Sequence, residues 1–161
     1  AWEEKPLPAG GSRYLRPYRA HYTLDGKELN WDLFTGLDSV AVLVYVIEWG
    51  GFVLVRQFRA AVYRRARVAQ SGEGKVPGIE GLTIEAVAGL CDKSGHTLEE
   101  MAAAELWEEA GVRVSPESLE LVTKTLLNIG MAAAQQTCFF AQVHASDFAY
   151  GAGGGLEEEG E

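Results

Sequence analysis

The chain has 161 residues, 47% of them hydrophobic, which is enough for one domain with its own apolar core. Its formal net charge of -9 argues against binding of a nucleic-acid backbone, because that requires a clustered excess of Lys and Arg. No apolar run is long enough to span a membrane, and Cys91 and Cys138 lack the spacing of a metal site or a redox motif. We therefore expect a soluble, cytoplasmic protein with reduced thiols and a small-molecule ligand.

The first predicted element is a β-hairpin. Alternating stretches between Tyr14 and Phe34 are interrupted by Asp25-Gly26, a dipeptide typical of tight hairpin turns. Two apolar runs follow, Ser39 to Ile47 and Phe52 to Phe58, separated by a turn-like segment. They indicate two buried antiparallel strands.

The next stretch, Ala66 to Gly81, is polar and Gly-rich and predicts a long surface loop. The basic run Arg64-Arg65-Ala66-Arg67 is interpreted as solvated loop and not as a nucleic-acid patch. Leu82 to Val87 returns to strand character and leads to a sharp turn at Ala88-Gly89. Two further strands are predicted over Glu120 to Asn128 and Gln136 to Val143.

A single strong helix lies between these strands. Thr97 and Glu100 have the spacing of a capping box, and Gly111 stands where a left-handed C-cap is needed. The helix is predicted over residues 98 to 110. Strands on both sides of one helix indicate a mixed α/β fold with helical cover over a mixed sheet.

This helix carries three glutamates on one face. Glu105 and Glu109 are four residues apart, and Glu108 is three residues from Glu105. A hard divalent cation would relieve their repulsion, because carboxylate oxygens are its preferred ligands. A solvated acidic face is the alternative interpretation. The position after the predicted turn at Ala88-Gly89 favours the metal site.

From Gly89 onward the sequence resembles the Nudix box, G-x5-E-x7-R-E-U-x-E-E-x-G-U, where U is aliphatic. Its second half matches from Glu105 to Val112. The first half departs in two places: one extra residue follows Gly89, so that His96 stands at the first glutamate position, and Ala104 replaces the basic residue before Glu105.

The resemblance extends along most of the chain and is strongest to UDP-sugar pyrophosphatases, relatives of the ADP-ribose hydrolases. It rests on Tyr14-Leu-Arg-Pro17, Asn30-Trp-Asp32, the segment from Leu54 to Tyr63, and Gly153-Gly-Gly-Leu156. It implies an α/β/α sandwich with a mixed β-sheet over residues 37–161. An N-terminal extension, residues 1–36, would contain the hairpin and support a homodimer. The family's final strand and helix have no counterpart in the sequence.

The resemblance also implies the ligands of a Mg2+ ion, with Mn2+ as the alternative. Glu105, Glu109 and the backbone carbonyl of Ala88 would coordinate the metal, and Glu108 would be a further ligand or a catalytic support. The general base would be Glu159, with Glu161 as the next candidate. The competing interpretation of this acidic terminus is a disordered tail.

Four residues are expected to bind the substrate. Arg59 resembles the residue that contacts the diphosphate or the second sugar, and Glu85 would pair with Arg59 or touch the substrate. Trp31 and Asp32 resemble a platform that stacks the nucleotide base, often across a dimer. A surface ion pair for Arg59 and a core position for Trp31 are the structural alternatives.

The implied reaction is Mg2+-dependent hydrolysis of a nucleoside diphosphate sugar, UDP-glucose to UMP and glucose 1-phosphate. Hydrolysis of ADP-ribose to AMP and ribose 5-phosphate is the alternative. Asn128 to Gln135 lacks the proline common in ADP-ribose hydrolases, which favours UDP-sugars. A hypothesis of another class is a catalytically weak nucleotide-binding module, because Ala104 and His96 depart from the box.

Overall fold

The computed structural model describes residues 2–8, 10–12, 14–70 and 76–155. The strands are β1 (Arg16–Leu24), β2 (Lys27–Thr35), β3 (Ser39–Val46), β4 (Gly51–Val53), β5 (Val55–Phe58), β6 (Leu82–Glu85), β7 (Val87–Leu90), β8 (Glu120–Leu127) and β9 (Ala134–Val143). The helices are α1 (Ala60–Ala69) and α2 (Leu98–Ala110), with 3₁₀ turns at Gly78–Gly81, Pro116–Ser118 and Ala145–Asp147. In the described ranges, no helix has the length and apolar character needed to cross a membrane.

The central sheet has five strands and is mixed. Its order is β4-β3-β9-β8, and β7 also pairs with β3. The β3 and β9 strands are parallel, from Ser39 opposite Gln136 to Val46 opposite Val143, whereas β4 and β7 run antiparallel to β3. One edge of β3 pairs with β9. The other edge of β3 is shared by β4 and β7. The predicted mixed α/β fold is confirmed.

The core lies on one face of β3. Alternate residues of this strand, Val40, Val42, Val44 and Val46, are fully buried, as the period of two requires for a strand with one face in the core. They belong to one cluster with Leu106 and other apolar residues of α2. This packing fixes α2 against β3 and β7, and thereby fixes the position of the predicted metal-binding glutamates.

The N-terminal hairpin is confirmed. The β1 and β2 strands pair antiparallel without interruption, from Arg16 opposite Thr35 to Leu24 opposite Lys27. Asp25 and Gly26 have φ values of 51° and 76°, so both are left-handed, as a type I′ turn requires. The hairpin forms a sheet of its own.

Helix α2 also has its predicted limits. The Thr97 side chain accepts a hydrogen bond from the Glu100 backbone N–H at 3.1 Å, and the Glu100 carboxylate accepts one from the Thr97 N–H at 2.7 Å. Gly111 ends the helix in the left-handed conformation with a φ of 65°. The cap residues therefore determined this helix as the sequence indicated.

Three sequence-based predictions are wrong. The apolar run from Phe52 to Phe58 is not one buried strand, because it divides into β4 and β5 in different sheets, and of its residues only Gln57 is buried. The segment from Ala66 belongs in part to α1, since Ala60–Ala69 contains good helix formers and no glycine or proline, so the basic run lies on a helix and not in a loop. The Ala88-Gly89 turn is also absent, because both residues lie within β7, opposite Ala41 and Val40.

Candidate active site

A cavity of about 590 Å³ lies beside β7 and α2. The structure brings five of the predicted site residues to its wall: Arg59, Glu85, Ala88, Glu105 and Glu108. The remaining lining residues are Tyr14, Ser39, Gly89, Leu90, Asp92, Lys93 and Gln136. One cavity therefore contains predicted metal ligands and predicted diphosphate contacts together.

Glu105 lies directly against the backbone of β7. A Cβ atom built on Gly89 would overlap the Glu105 carboxylate, with carboxylate atoms as its three nearest neighbours. Gly89 is not left-handed, so the glycine is needed for this close approach and not for a turn.

Glu109 is the buried member of the glutamate triplet, with 7% of its surface exposed. Its Oε1 accepts a hydrogen bond from the Gln57 side-chain amide at 2.5 Å, and its Oε2 accepts one from the Ala88 backbone N–H at 3.1 Å. Burial of a carboxylate is costly unless it receives such donors. Gln57 and Ala88 thus hold Glu109 at the boundary between α2 and β7.

Glu108 makes an ion pair from the same helix. The Lys93 ammonium lies 3.0 Å from Glu108 Oε1, and the two side chains are 41% and 27% exposed. The hydrogen bond to Glu108 raises the pKa of Lys93, so this lysine is charged at neutral pH. The loop between β7 and α2 thereby places a cation beside the acidic helix.

Arg59 and Glu85 form a bidentate ion pair. Pairing with Arg59 was one of the two roles predicted for Glu85; the other was contact with the substrate. Arg59 Nε lies 2.9 Å from Glu85 Oε1 and Nη2 lies 2.7 Å from Oε2. Thr83 Oγ1 also donates to Glu85. The hydrogen bond from Arg59 lowers the pKa of Glu85 below its usual value. The pair fixes the plane of the guanidinium at the cavity wall.

The chemistry of the donor set fits Mg2+. Glu105 and Glu108 line one cavity with Ala88, and carboxylate and carbonyl oxygens are the protein ligands that hard cations prefer. Across the described ranges, no three His, Cys, Asp or Glu side chains form a metal cluster by themselves. Mg2+ commonly takes one or two carboxylates and completes its shell with water and substrate phosphate, so such a cluster is not required.

Trp31 and Asp32 lie elsewhere on the same chain. They line a second cavity of about 360 Å³ with Arg19, Asn30, Gly130 and Met131. Trp31 is 53% exposed and not a core residue, and its indole N–H donates to the Gly130 carbonyl at 2.5 Å. Asp32 pairs with Arg19 at 2.6 Å, and this hydrogen bond lowers the pKa of Asp32. Glu159 and Glu161 lie outside the described residues.

Sequence reasoning assigned no role to Gln57, Lys93 or Arg19. Gln57 is a polar residue inside an apolar run, which is a signal that its side chain has a buried partner. Arg19 could have been found by counting outward from the hairpin turn, which places it opposite Asp32. Lys93 has no such signal, because its contact with Glu108 depends on the path of a loop.

No family model matches the chain. It is 37% identical over 164 residues to uridine diphosphate glucose pyrophosphatase NUDT14 of Mus musculus and 38% identical over 165 residues to the protein of that name from Bos taurus. These alignments cover 93% of the chain and 73% of each relative. The solved structure of an ADP compounds hydrolase has the same fold, with a TM-score of 0.61 at 19% identity over 81% of this chain and 60% of that one. The chain therefore belongs to the Nudix hydrolase superfamily, within the family of uridine diphosphate glucose pyrophosphatases.

Proposed function

We propose that the protein hydrolyses the diphosphate bond of a nucleoside diphosphate sugar in a Mg2+-dependent reaction, with UDP-glucose as substrate and UMP and glucose 1-phosphate as products. The observation that carries this proposal is the presence of Glu105, Glu108 and Arg59 in one cavity. Carboxylates suit a divalent cation, and a guanidinium suits phosphate oxygens. The names of the two relatives support the same class of substrate.

The proposed metal ligands are Glu105, Glu109 and the Ala88 carbonyl, with Glu108 as a further ligand. Bound Mg2+, or Mn2+ as the alternative, would neutralise phosphate charge and lower the pKa of a water molecule. The protein's part is to hold the carboxylates in place before substrate arrives. Gln57 and the Ala88 N–H do this for Glu109.

The remaining roles concern the diphosphate and the attacking water. Arg59 would bind the diphosphate or the second sugar, with its orientation fixed by Glu85. Water attacks phosphorus, the P–O–P bond breaks, and a general base accepts the proton of the water. We assign the role of general base to Glu159, with Glu161 as the alternative. Glu108 is the proposed catalytic glutamate within α2.

We also propose that the hairpin joins two copies of the chain. In the register of β1 and β2, alternate positions place Tyr18, Tyr22, Leu29 and Trp31 on one face and residues such as His21 and Asn30 on the other. Tyr18, Tyr22 and Trp31 are 53%, 42% and 53% exposed. Such an apolar face is stabilised when a second surface covers it. A homodimer would bring the partner's Trp31 and Asp32 toward the cavity to bind the base.

The decisive assay for the reaction uses a panel of UDP-glucose, ADP-ribose and other nucleoside diphosphate compounds with Mg2+. We expect UMP from UDP-glucose, loss of the reaction in EDTA, and recovery on addition of Mg2+. AMP release from ADP-ribose alone would identify the alternative substrate. Binding without release from any compound would overturn the enzymatic function in favour of a binding module.

Variants test the residue assignments. Glu109→Gln and Glu159→Gln should each lower kcat by roughly 10-fold or more. The control is Glu120→Gln, an exposed glutamate at the start of β8, which should behave like the wild type. Full turnover by Glu109→Gln would refute the metal-site assignment, and full turnover by Glu159→Gln would refute the general base.

Sedimentation tests the homodimer. The wild type should sediment as a dimer, and replacement of Tyr22 and Leu29 by serine should shift it toward monomer. These two residues lie opposite each other on the apolar face. His21 and Asn30 are opposite each other on the polar face, so their double serine variant is the matched control. A monomeric wild type would contradict the proposal.

A further inference from the structure

Helix α2 carries an unusual excess of negative charge. Its thirteen residues include Glu99, Glu100, Glu105, Glu108 and Glu109 and no Lys or Arg. Glutamates near the N-terminus suit the helix dipole, but Glu108 and Glu109 lie in the last turn, where the dipole is also negative. A cation near this end would offset both effects, and the helix itself supplies none.

Position 104 is where such a cation would stand on the helix. Residues 104 and 108 are four apart, so a basic side chain at 104 would be one turn from the Glu108 carboxylate. The residue there is Ala104, which has no charge. The cation that contacts Glu108 comes from outside the helix, since Lys93 Nζ lies 3.0 Å from Glu108 Oε1.

We propose that Lys93 is a positioning residue for Glu108, and that its ammonium supplies from the loop the charge that α2 lacks at position 104. Both side chains lie at the wall of the cavity that contains Glu105 and Ala88. The hydrogen bond from the Lys93 ammonium to Glu108 Oε1 restricts this carboxylate to one orientation at the cavity wall, as a partner of a metal ligand does. This inference rests on the proposed metal-dependent function, because it assigns Lys93 to the preparation of a metal ligand.

A direct contact between Lys93 and a substrate phosphate is the competing role, since Lys93 lines the same cavity. The two roles differ in the absence of substrate. A positioning residue affects binding of the metal alone, whereas a phosphate contact affects the KM for the nucleotide and leaves metal binding unchanged.

The experiment therefore measures binding of Mn2+ without substrate, from the electron paramagnetic resonance signal of free Mn2+. Lys93→Met should weaken Mn2+ binding by roughly 10-fold or more, as loss of a partner to a metal ligand commonly does. Lys93→Arg, which keeps the charge, should bind Mn2+ within about 3-fold of the wild type. Lys124→Met, on exposed strand β8, controls for the change in net charge and should bind normally.

Relocation of the charge gives the sharpest test. Adding Ala104→Arg to Lys93→Met should restore most of the lost Mn2+ affinity, because position 104 reaches Glu108 from the helix. Thermal unfolding of each variant checks the fold, and only a small change in Tm is expected for an ion pair this exposed. If the relocated arginine disturbs the helix, the comparison of Lys93→Arg with Lys93→Met decides whether the charge at position 93 is what matters.

Three results would overturn the inference: no Mn2+ binding by the wild type, unchanged affinity in Lys93→Met, or weak binding that neither Lys93→Arg nor the relocation restores. Raised KM with unchanged Mn2+ affinity would assign Lys93 to the substrate phosphate instead. The turnover panel is a separate measurement. If Mn2+ binding depends on Lys93 as expected but no compound is hydrolysed, the proposed reaction is refuted and the positioning role of Lys93 stands.

Discussion

Glu105 lies so close to the Gly89 backbone that any side chain at position 89 would displace the Glu105 carboxylate. A Cβ atom at this position would overlap the Glu105 carboxylate, although the Gly89 backbone is ordinary extended strand opposite Val40. The glycine therefore allows α2 to bring a carboxylate onto the surface of β7. Its requirement comes from packing between two elements and not from its own backbone conformation.

Gly89→Ala is predicted to displace Glu105 from the cavity. We expect kcat/KM to fall on the order of 100-fold, as a shift of about 1 Å in a reacting group can cause. The free energy of unfolding should change by less than about 1 kcal/mol, because the overlapping atoms are the end of a flexible side chain that can move aside. Steady-state kinetics and urea unfolding measure the two effects. Gly78→Ala is the control, because a Cβ at Gly78 meets open space. Wild-type kinetics in Gly89→Ala would contradict the role of this contact.

The sequence predicted best the elements whose ends are set by local chemistry. Thr97, Glu100 and Gly111 determine both ends of α2, and Asp25-Gly26 determines the hairpin, because each acts on backbone within a few residues. The predicted turn at Ala88-Gly89 failed for the opposite reason. Position 89 needs a glycine because the Glu105 carboxylate lies against it. Glu105 is distant in sequence, so the residues around Gly89 do not reveal this contact.

The same distinction applies to the site. The three glutamates could be found from helical spacing, and Arg59 from its resemblance to a family motif. Their partners could not be assigned in the same way, because the contacts of Gln57 with Glu109 and of Lys93 with Glu108 depend on tertiary packing. Helix α1 was not predicted, although Ala and Arg are good helix formers, because Arg59 gives no side-chain N-cap that would mark its start.

Gln57→Leu is predicted to destabilise the protein through Glu109. The buried Glu109 carboxylate would lose the amide donor at 2.5 Å, and loss of a donor to a buried charge costs about 1–3 kcal/mol. Urea unfolding at neutral pH should show this decrease in the free energy of unfolding. Gln142→Leu makes the same chemical change at an exposed position of β9 and should have little effect. Equal stability of both variants would show that Gln57 does not support Glu109.

Glu85→Gln is predicted to have a pH-dependent effect on stability. Arg59 lowers the pKa of Glu85 in the folded protein, so the stabilisation is complete above the unfolded pKa of about 4.3 and is lost as pH falls through the lower folded value. The variant should be about 0.5–1 kcal/mol less stable than the wild type at pH 7, a modest value because the pair is partly exposed. Urea unfolding at pH 7, 5 and 3.5 should show the difference shrinking in acid. A difference that grows in acid would contradict this linkage.

His144 and Glu48 form an ion pair at the opposite end of β3 from the cavity. His144 Nδ1 lies 2.8 Å from Glu48 Oε1, just beyond the Val46 and Val143 pair, whereas the cavity residues Ser39 and Gln136 pair at the other end of these strands. The hydrogen bond that His144 donates to the Glu48 carboxylate raises the pKa of His144. The pair joins the β3–β4 turn to the segment after β9, at a distance from the proposed chemistry.

Protonation of His144 should therefore change stability without changing the reaction. Because the folded pKa of His144 is raised, the stabilisation is complete below the unfolded pKa of about 6.5 and is lost as pH rises through the folded value. We expect His144→Gln to lower Tm at pH 5.5 and to match the wild type at pH 9, with unchanged kcat/KM at both. His21→Gln, on the exposed β1 strand, controls for loss of a histidine without this partner. A Tm difference that is equal at both pH values, or larger at pH 9, would show that the ion pair is not its cause.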